Sequence, residues 1–321
     1  MEQREMRRHF SALGMAYFVY VAVSLAVQFV ILLLLQLLGT DVSALGSTAS
    51  MAVSVAAMYL AAFPVCLALL RRIPSSPLPR EEREPMSFWS LLLCLVVCIG
   101  VMEAGNLIGN GLMGITSLFL DRQIDNTVVD MVLAGELIPV ILFAAILAPI
   151  FEELLFRKLL IDRIRVFGDR TCILVSGVMF GLIHGNFYQF FYACGLGMVF
   201  AYVYLRTGRV RNTIGLHMAI NSLGGVVGTV LLRWFYSAAP GNVLSADFIL
   251  PLLALGLYVF ALMASAIAGV VLLICLWGRR RLERGIFEIP ASRRFQTAFL
   301  NVGMLLFFLI CTVQFGLSLS S

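Results

Sequence analysis

Charged residues are scarce in this chain. Only 13% of its 321 residues are Asp, Glu, Lys or Arg, whereas 61% are hydrophobic, and the mean hydropathy is +0.97. A soluble domain usually carries about 25% charged residues and cannot hide so much apolar surface. The composition therefore excludes an ordinary soluble fold and indicates a membrane protein.

Histidine is also rare, and the cysteines are badly placed for disulfides. The chain has three histidines, His9, His184 and His217, and its seven cysteines all fall within predicted spans. Cysteines in such positions are small buried residues. Cys94 and Cys98 share a helix face, but no nearby His or Cys completes a metal site. We therefore expect no disulfide framework, no metal centre and no cofactor.

The alternating apolar and polar segments of a membrane β-barrel are missing too. Instead, apolar runs of about 20 residues recur, which is the length a helix needs to cross a hydrocarbon core about 30 Å thick. We predict an all-α polytopic transmembrane helical bundle of eight to nine spans. The first segment is longer than the apolar core of a signal peptide and is expected to be retained. The segments are 13–38, 51–70, 88–108, 137–160, 172–186, 188–205, 213–233, 247–277 and 297–318, the last interrupted by Asn301 and Gln314.

Basic residues set the orientation, because cytoplasmic loops carry an excess of Lys and Arg. Every second loop is basic, beginning with Arg4, Arg7 and Arg8 ahead of the first span. We expect a cytoplasmic N-terminus. Nine spans would place the C-terminus outside, and an error of one span would reverse that side.

Two segments are predicted to be cytoplasmic linkers. Residues 71–87 contain four prolines among Ser, Arg and Glu, a composition that disfavours helix. Residues 278–295 are strongly basic, and a basic segment beside a span is typically an anchor on anionic lipid. We expect anionic lipid at these basic loops and no nucleic-acid partner.

The acids Glu152 and Glu153, followed one turn later by Arg157, lie at the end of an otherwise apolar segment. Charge at membrane depth is costly, and it is usually kept where the group faces a bundle interior and has a function. A buried ion pair that only fastens two helices is the structural alternative. The sequence therefore predicts a functional site here.

Two of the three histidines lie in other predicted spans. The pairs Phe180 with His184 and His217 with Asn221 are four residues apart, so each pair shares a helix face. With a rise of about 1.5 Å per residue, the acids, both histidines and Asn221 occupy overlapping depths of about 8 to 20 Å. Three helices are thus expected to present these groups to one intramembrane cavity that opens toward the cytoplasm.

The order of these motifs resembles the CAAX protease and bacteriocin-processing (CPBP, Abi) family of intramembrane glutamic proteases, including CAAX prenyl protease 2-like proteins. The resemblance covers roughly residues 137–222 and comprises Glu-Glu-x-x-x-Arg, Phe-x-x-x-His and His-x-x-x-Asn. Lys158 stands where family members often have Gly. The resemblance implies a metal-independent intramembrane endopeptidase.

The resemblance also implies roles for the residues. Glu152, helped by His184, would take a proton from the water that attacks a peptide carbonyl. His217 and Asn221 would donate hydrogen bonds to the developing oxyanion. Glu153, counted with the catalytic group, and Arg157 would hold the helix and its charges in place, while Phe180 would be a packed wall.

Several alternatives remain open. Glu152, His184 and His217 could form a two-His, one-carboxylate zinc site, although the zinc-protease motif His-Glu-x-x-His is absent. The chain could instead be a proton-relaying transporter. It could also be a non-proteolytic membrane partner or an immunity or regulatory protein of the same family.

Three regions are expected. Residues 1–136 would form N-terminal spans and loops, 137–233 the catalytic core, and 234–321 C-terminal spans with the basic loop at 278–295. The expected location is the bacterial plasma membrane. The expected partner is a peptide or protein substrate that enters from the membrane or the cytoplasmic side, and the residues do not identify it.

Overall fold

The computed structural model describes residues 1–78, 83, 85–238, 245–278 and 281–320. Within these residues every regular element is helical, which confirms the all-α class. The helices, in chain order, are α1 Gln3–Leu37, α2 Ser47–Leu70, α3 Phe88–Leu120, α4 Thr127–Ala134, α5 Leu137–Phe167, α6 Asp169–Leu182, α7 Phe187–Thr207, α8 Val210–Ala238, α9 Ala246–Trp277, α10 Ala291–Phe299 and α11 Val302–Ser318.

Among the described residues, seven helices are long and apolar enough to cross a membrane, and up to eight if the bent pair α10 and α11 forms one span. The chain is therefore an integral, multi-pass membrane protein. The structure's upper count of eight spans agrees with the lower of the two predicted numbers, eight and nine. The predicted fifth span became α6, which has 14 residues. A helix of that length covers about 21 Å, too little for the hydrocarbon core.

The last predicted span is broken where the sequence is polar. Helices α10 and α11 meet at an angle of 71°. The side chain of Asn301 accepts a hydrogen bond from the Met304 N–H at 3.1 Å, so it caps the start of α11. Helix α10 begins inside the segment predicted as a basic loop, directly after Pro290.

The rest of that basic segment is docked on the protein. The Glu283 N–H donates to the Asp169 carboxylate at 2.8 Å, and the Asp169 N–H donates to the Glu283 carbonyl at 3.1 Å. The Glu283 carboxylate also pairs with Arg83 at 2.7 Å and with Arg206 at 3.4 Å. We call these four residues the Glu283 clasp. Arg80, Arg279 and Arg280 of the two predicted linkers lie outside the described residues.

In the described part of the chain, four helical stretches are wound as π-helix, namely Ala56–Ala62 in α2, Ile141–Leu147 and Leu154–Leu159 in α5, and Ser222–Val227 in α8. π-Helical turns are rare and occur frequently at functional sites. The two in α5 directly flank the turn that contains Glu152 and Glu153. The stretch in α8 directly follows Asn221, and Tyr59 in the stretch of α2 stacks on Phe151, the residue before Glu152.

Helices α1 and α5 run antiparallel in the core. Near one end, a ring nitrogen of His9 lies 2.8 Å from the Arg163 carbonyl. Further along, the Tyr17 hydroxyl donates to the Leu155 carbonyl at 2.6 Å. The buried side chains of α1, α5, α6, α7 and α11 form one continuous apolar cluster. This packing fixes the face of α5 that carries the acids.

Candidate active site

Glu153 and Arg157 form an ion pair in the protein interior. Glu153 Oε2 lies 3.0 Å from Arg157 Nε, and neither side chain is exposed. The spacing of four residues places both groups on one face of α5. Although the distance is that of an ion pair, its angles do not meet hydrogen-bond criteria. The contact is therefore mainly electrostatic, and removing either partner would leave a buried charge.

Aromatic rings enclose the rest of the Arg157 guanidinium. Its central carbon lies 4.4 Å from the centroid of Phe180 and 5.3 Å from that of Phe200. Neither terminal nitrogen has a hydrogen-bond partner among the described residues. Cation–π attraction to two desolvated rings partly replaces the missing hydrogen bonds. Phe180, predicted to be a packed wall, is 1% exposed and is such a wall.

His217 on α8 lies between the two acids. Its Nδ1 is 3.0 Å from Glu153 Oε1, and its Nε2 is 3.8 Å from Glu152 Oε2. Because Arg157 favours the ionised form of Glu153, we assign the proton to Nδ1, which donates to that carboxylate. In the neutral ring, Nε2 then carries no proton and faces Glu152.

Glu152 has different surroundings from its neighbour. Its side chain is 16% exposed, whereas that of Glu153 is fully enclosed. In the described part of the chain, no hydrogen bond to the Glu152 carboxylate is formed, and His217 Nε2 at 3.8 Å is beyond hydrogen-bond distance. Glu152 is thus the acid with free acceptor capacity.

His184 lies in the turn that follows α6, two residues beyond its last residue Leu182, beside the same aromatic wall. Its Nδ1 is 2.7 Å from the Phe180 carbonyl, which can only accept, so Nδ1 carries the proton in the neutral ring. The imidazole meets the Phe180 ring edge to face at 5.0 Å. This arrangement leaves Nε2 as an acceptor that can receive a proton.

Asn221 lies one turn after His217, as its spacing predicted, and its side chain reaches back to α5. The amide nitrogen donates to the Ala144 carbonyl at 2.9 Å. Ala144 belongs to the first π-helical stretch of α5. One of the two amide hydrogens is used in this bond, so the other is available to a further acceptor.

The structure brings most of the predicted residues together. Contacts join Glu152, Glu153, Arg157, Phe180 and His217 in one cluster, His184 adjoins it through Phe180, and Asn221 adjoins it through α8. The catalytic roles remain predictions. Sequence reasoning missed Phe200, whose ring also lies 5.3 Å from that of His217. An aromatic residue within an apolar helix gives no signal that separates it from ordinary packing.

A zinc site was the alternative use of Glu152, His184 and His217. Among the residues that the structure describes, no group of three or more His, Cys, Asp and Glu side chains is arranged to hold a metal ion. The alternative therefore has no preformed ligand set in this arrangement.

Comparison with known proteins agrees with the motifs. Residues 134–223 match the family model described as Rce1-like, type II CAAX prenyl endopeptidase. The putative membrane peptidase YdiL of Bacillus subtilis (strain 168) is 27% identical over 173 residues, which cover 51% of this chain and 66% of that protein. The membrane-embedded CAAX protease MroQ of Staphylococcus aureus (strain USA300) is 25% identical over 173 residues, 50% of this chain and 67% of that protein.

The alignments thus span only about two thirds of each relative, and just under two thirds of YdiL. No solved structure matches this chain significantly. The matched residues 134–223 contain the acid pair, both motif histidines and Asn221. On these matches residues 134–223 of the chain are similar to the Rce1-like type II CAAX prenyl endopeptidases, and about half of the chain is similar to two membrane peptidases.

Proposed function

We propose that this protein is an intramembrane endopeptidase in which Glu152 activates water. The observation that carries the proposal is the inequality of the two acids. Glu153 is paired with Arg157 and accepts from His217 Nδ1, whereas Glu152 retains free acceptor capacity and faces His217 Nε2. The family and the printed names of both relatives support a membrane peptidase.

The proposed reaction is hydrolysis by a glutamate-activated water. Glu152, assisted by His184, accepts a proton from water while the water oxygen attacks the peptide carbonyl. Asn221 then donates its remaining N–H to the oxyanion. The oxyanion contact rests on Asn221 in this scheme, because the one N–H of a neutral His217 is already donated to Glu153. Protonated Glu152 returns its proton to the leaving nitrogen as the C–N bond breaks.

In this scheme Glu153 and Arg157 do not contact the substrate and act by positioning other residues of the site. The Glu153 carboxylate fixes the tautomer and the orientation of His217 through the 3.0 Å contact. A group that orients a catalytic imidazole contributes by keeping its geometry productive. We therefore assign Glu153 a positioning role.

The protein would act on a membrane-presented peptide or protein tail. Its location in a bacterial plasma membrane, the cytoplasmic N-terminus, the catalytic core at 137–233 and lipid binding at the basic loops belong to the same proposal. A cavity of about 780 Å³ adjoins the Glu283 clasp and is lined by Arg83, Arg206 and Arg281. Guanidinium groups favour anionic headgroups or an anionic part of the substrate at this place.

The test is to compare membrane peptides in cells that lack the native gene and produce wild-type, Glu152→Gln or Glu103→Gln protein. Glu103 lies in the middle of α3 and outside the site cluster, so it controls for the same chemical change. Mass spectrometry should show peptides that accumulate with Glu152→Gln and not with Glu103→Gln.

Equal peptide profiles for wild-type and Glu152→Gln protein at equal abundance would contradict the proposal. If Glu152→Gln then also kept the full biological effect of the protein, the function would be that of a non-proteolytic membrane partner or regulator.

A further inference from the structure

Tyr20 on α1 carries a buried hydroxyl that the proposed mechanism has not used. The residue is 1% exposed, and its Oη has no hydrogen-bond partner among the described residues. Leaving a buried hydroxyl unpaired is costly, so such a group needs an explanation. Its position supplies one.

The register of α1 against α5 places Tyr20 at the level of Glu152. Contacts pair His9 with Arg163 and Tyr17 with Leu155, so each residue forward along α1 corresponds to one residue backward along α5. Tyr20 lies three residues after Tyr17, and Glu152 lies three residues before Leu155. Tyr20 is therefore at the level of Glu152. The Tyr20 hydroxyl is also within electrostatic range of the Glu152 carboxylate.

Two other tyrosines within electrostatic reach of Glu152 differ from Tyr20. The Tyr192 hydroxyl already accepts a hydrogen bond from Gln189 at 2.8 Å. The Tyr59 ring stacks on Phe151, with centroids 4.4 Å apart and planes within 6°. Of these three tyrosines, Tyr20 is the one with a fully buried hydroxyl that has no hydrogen-bond partner among the described residues.

We propose that Tyr20 is a further catalytic residue, which positions the attacking water. This inference rests on the proposed function of Glu152. The water donates one hydrogen to Glu152 and the other to Tyr20 Oη, which directs an oxygen lone pair at the substrate carbonyl carbon. As the new C–O bond forms, one water proton moves to Glu152 and later to the leaving nitrogen. Tyr20 keeps its own proton throughout.

The experiment compares Tyr20→Phe with Tyr17→Phe, the same change one turn earlier on α1. Tyr17 holds a structural hydrogen bond to Leu155, so its loss should lower stability and leave the chemistry intact. The full-length variants are assayed on a synthetic copy of a peptide that accumulates in Glu152→Gln cells. We expect Tyr20→Phe to lower kcat about tenfold or more, the effect of one lost hydrogen bond, with KM unchanged.

Three results would overturn the inference, and they are distinguishable. If Glu152→Gln is inactive while Tyr20→Phe keeps the wild-type kcat, Tyr20 has no catalytic role and the proposed function stands. If Tyr20→Phe loses activity only in proportion to its folded fraction, as expected of Tyr17→Phe, its role is packing. If Glu152→Gln accumulates no peptide, the proposed function fails, and this inference fails with it.

Discussion

Two networks of charge are built around single glutamates, and they lie in opposite settings. Glu153 and Arg157 are both fully enclosed, and their neighbours include His217 and two aromatic rings. Glu283 is 51% exposed in its side chain and pairs with two arginines at the surface. Glu–Arg pairs therefore form at similar distances in both networks, but one network is buried in the protein interior and the other is in contact with water.

The difference shows what each network can do. Exposed ion pairs contribute about 0 to 1 kcal/mol, because water screens them. A buried pair contributes little relative to apolar residues, but breaking it strands a charge. The Glu153 network is thus suited to hold His217 in one orientation, and the Glu283 clasp to fasten a surface segment weakly.

The largest expected effect is on the buried network. Arg157→Met should lower the free energy of unfolding by about 3 to 5 kcal/mol, because it leaves the Glu153 carboxylate buried without its cation. Denaturant titration of the purified protein in detergent micelles measures this change. A loss below about 1 kcal/mol would show that water reaches Glu153 and that the two networks are alike.

The double variant Glu153→Gln with Arg157→Met sharpens the comparison. It removes both charges, and the Gln amide oxygen can still accept from His217 Nδ1. We expect at least half of the stability lost in Arg157→Met to return, since the penalty comes from an unpaired charge. Additive losses would indicate that the two residues contribute through packing instead.

The smallest effect is expected at the surface. Glu283→Gln should cost less than about 1 kcal/mol, and added salt should reduce the difference further. The Arg83 hydrogen bond lowers the pKa of Glu283, so the contribution is present above the ordinary glutamate pKa of about 4.3 and is lost as pH falls through the lowered value. Unfolding titrations at neutral pH and below pH 4 check this sign, and a larger difference in acid would contradict it.

Sequence reasoning found the parts of the site that helical spacing determines. The intervals from Glu153 to Arg157 and from His217 to Asn221 fix a shared face, and motif order linked the helices. It did not find the π-helical stretches around the acids, since their apolar residues suit either winding. It also missed Tyr20 and Phe200, because only the packing of α1 and α7 against distant helices places them beside the charges.

The last segment of the chain illustrates a similar limit. Asn301 was recognised as an interruption, but its side chain acts as a cap that starts a new helix after a 71° bend. The docking of Glu283 on Asp169 joins residues more than 100 positions apart, whereas composition alone favoured a basic linker anchored on anionic lipid. Such contacts depend on tertiary structure that local patterns do not specify.

The most direct test of the inequality of the two acids is to assay Glu152→Gln and Glu153→Gln side by side. The wild-type protein and both variants are purified in lipid nanodiscs and assayed on a synthetic copy of a peptide that accumulates in Glu152→Gln cells. Each assay is run with and without a metal chelator. Glu152→Gln should lower kcat by about 10²-fold or more at unchanged stability, Glu153→Gln should mainly lower stability, and the wild-type activity should resist the chelator. Full activity in folded Glu152→Gln protein would contradict the account, and chelator-sensitive wild-type activity would replace the glutamate mechanism with the zinc alternative.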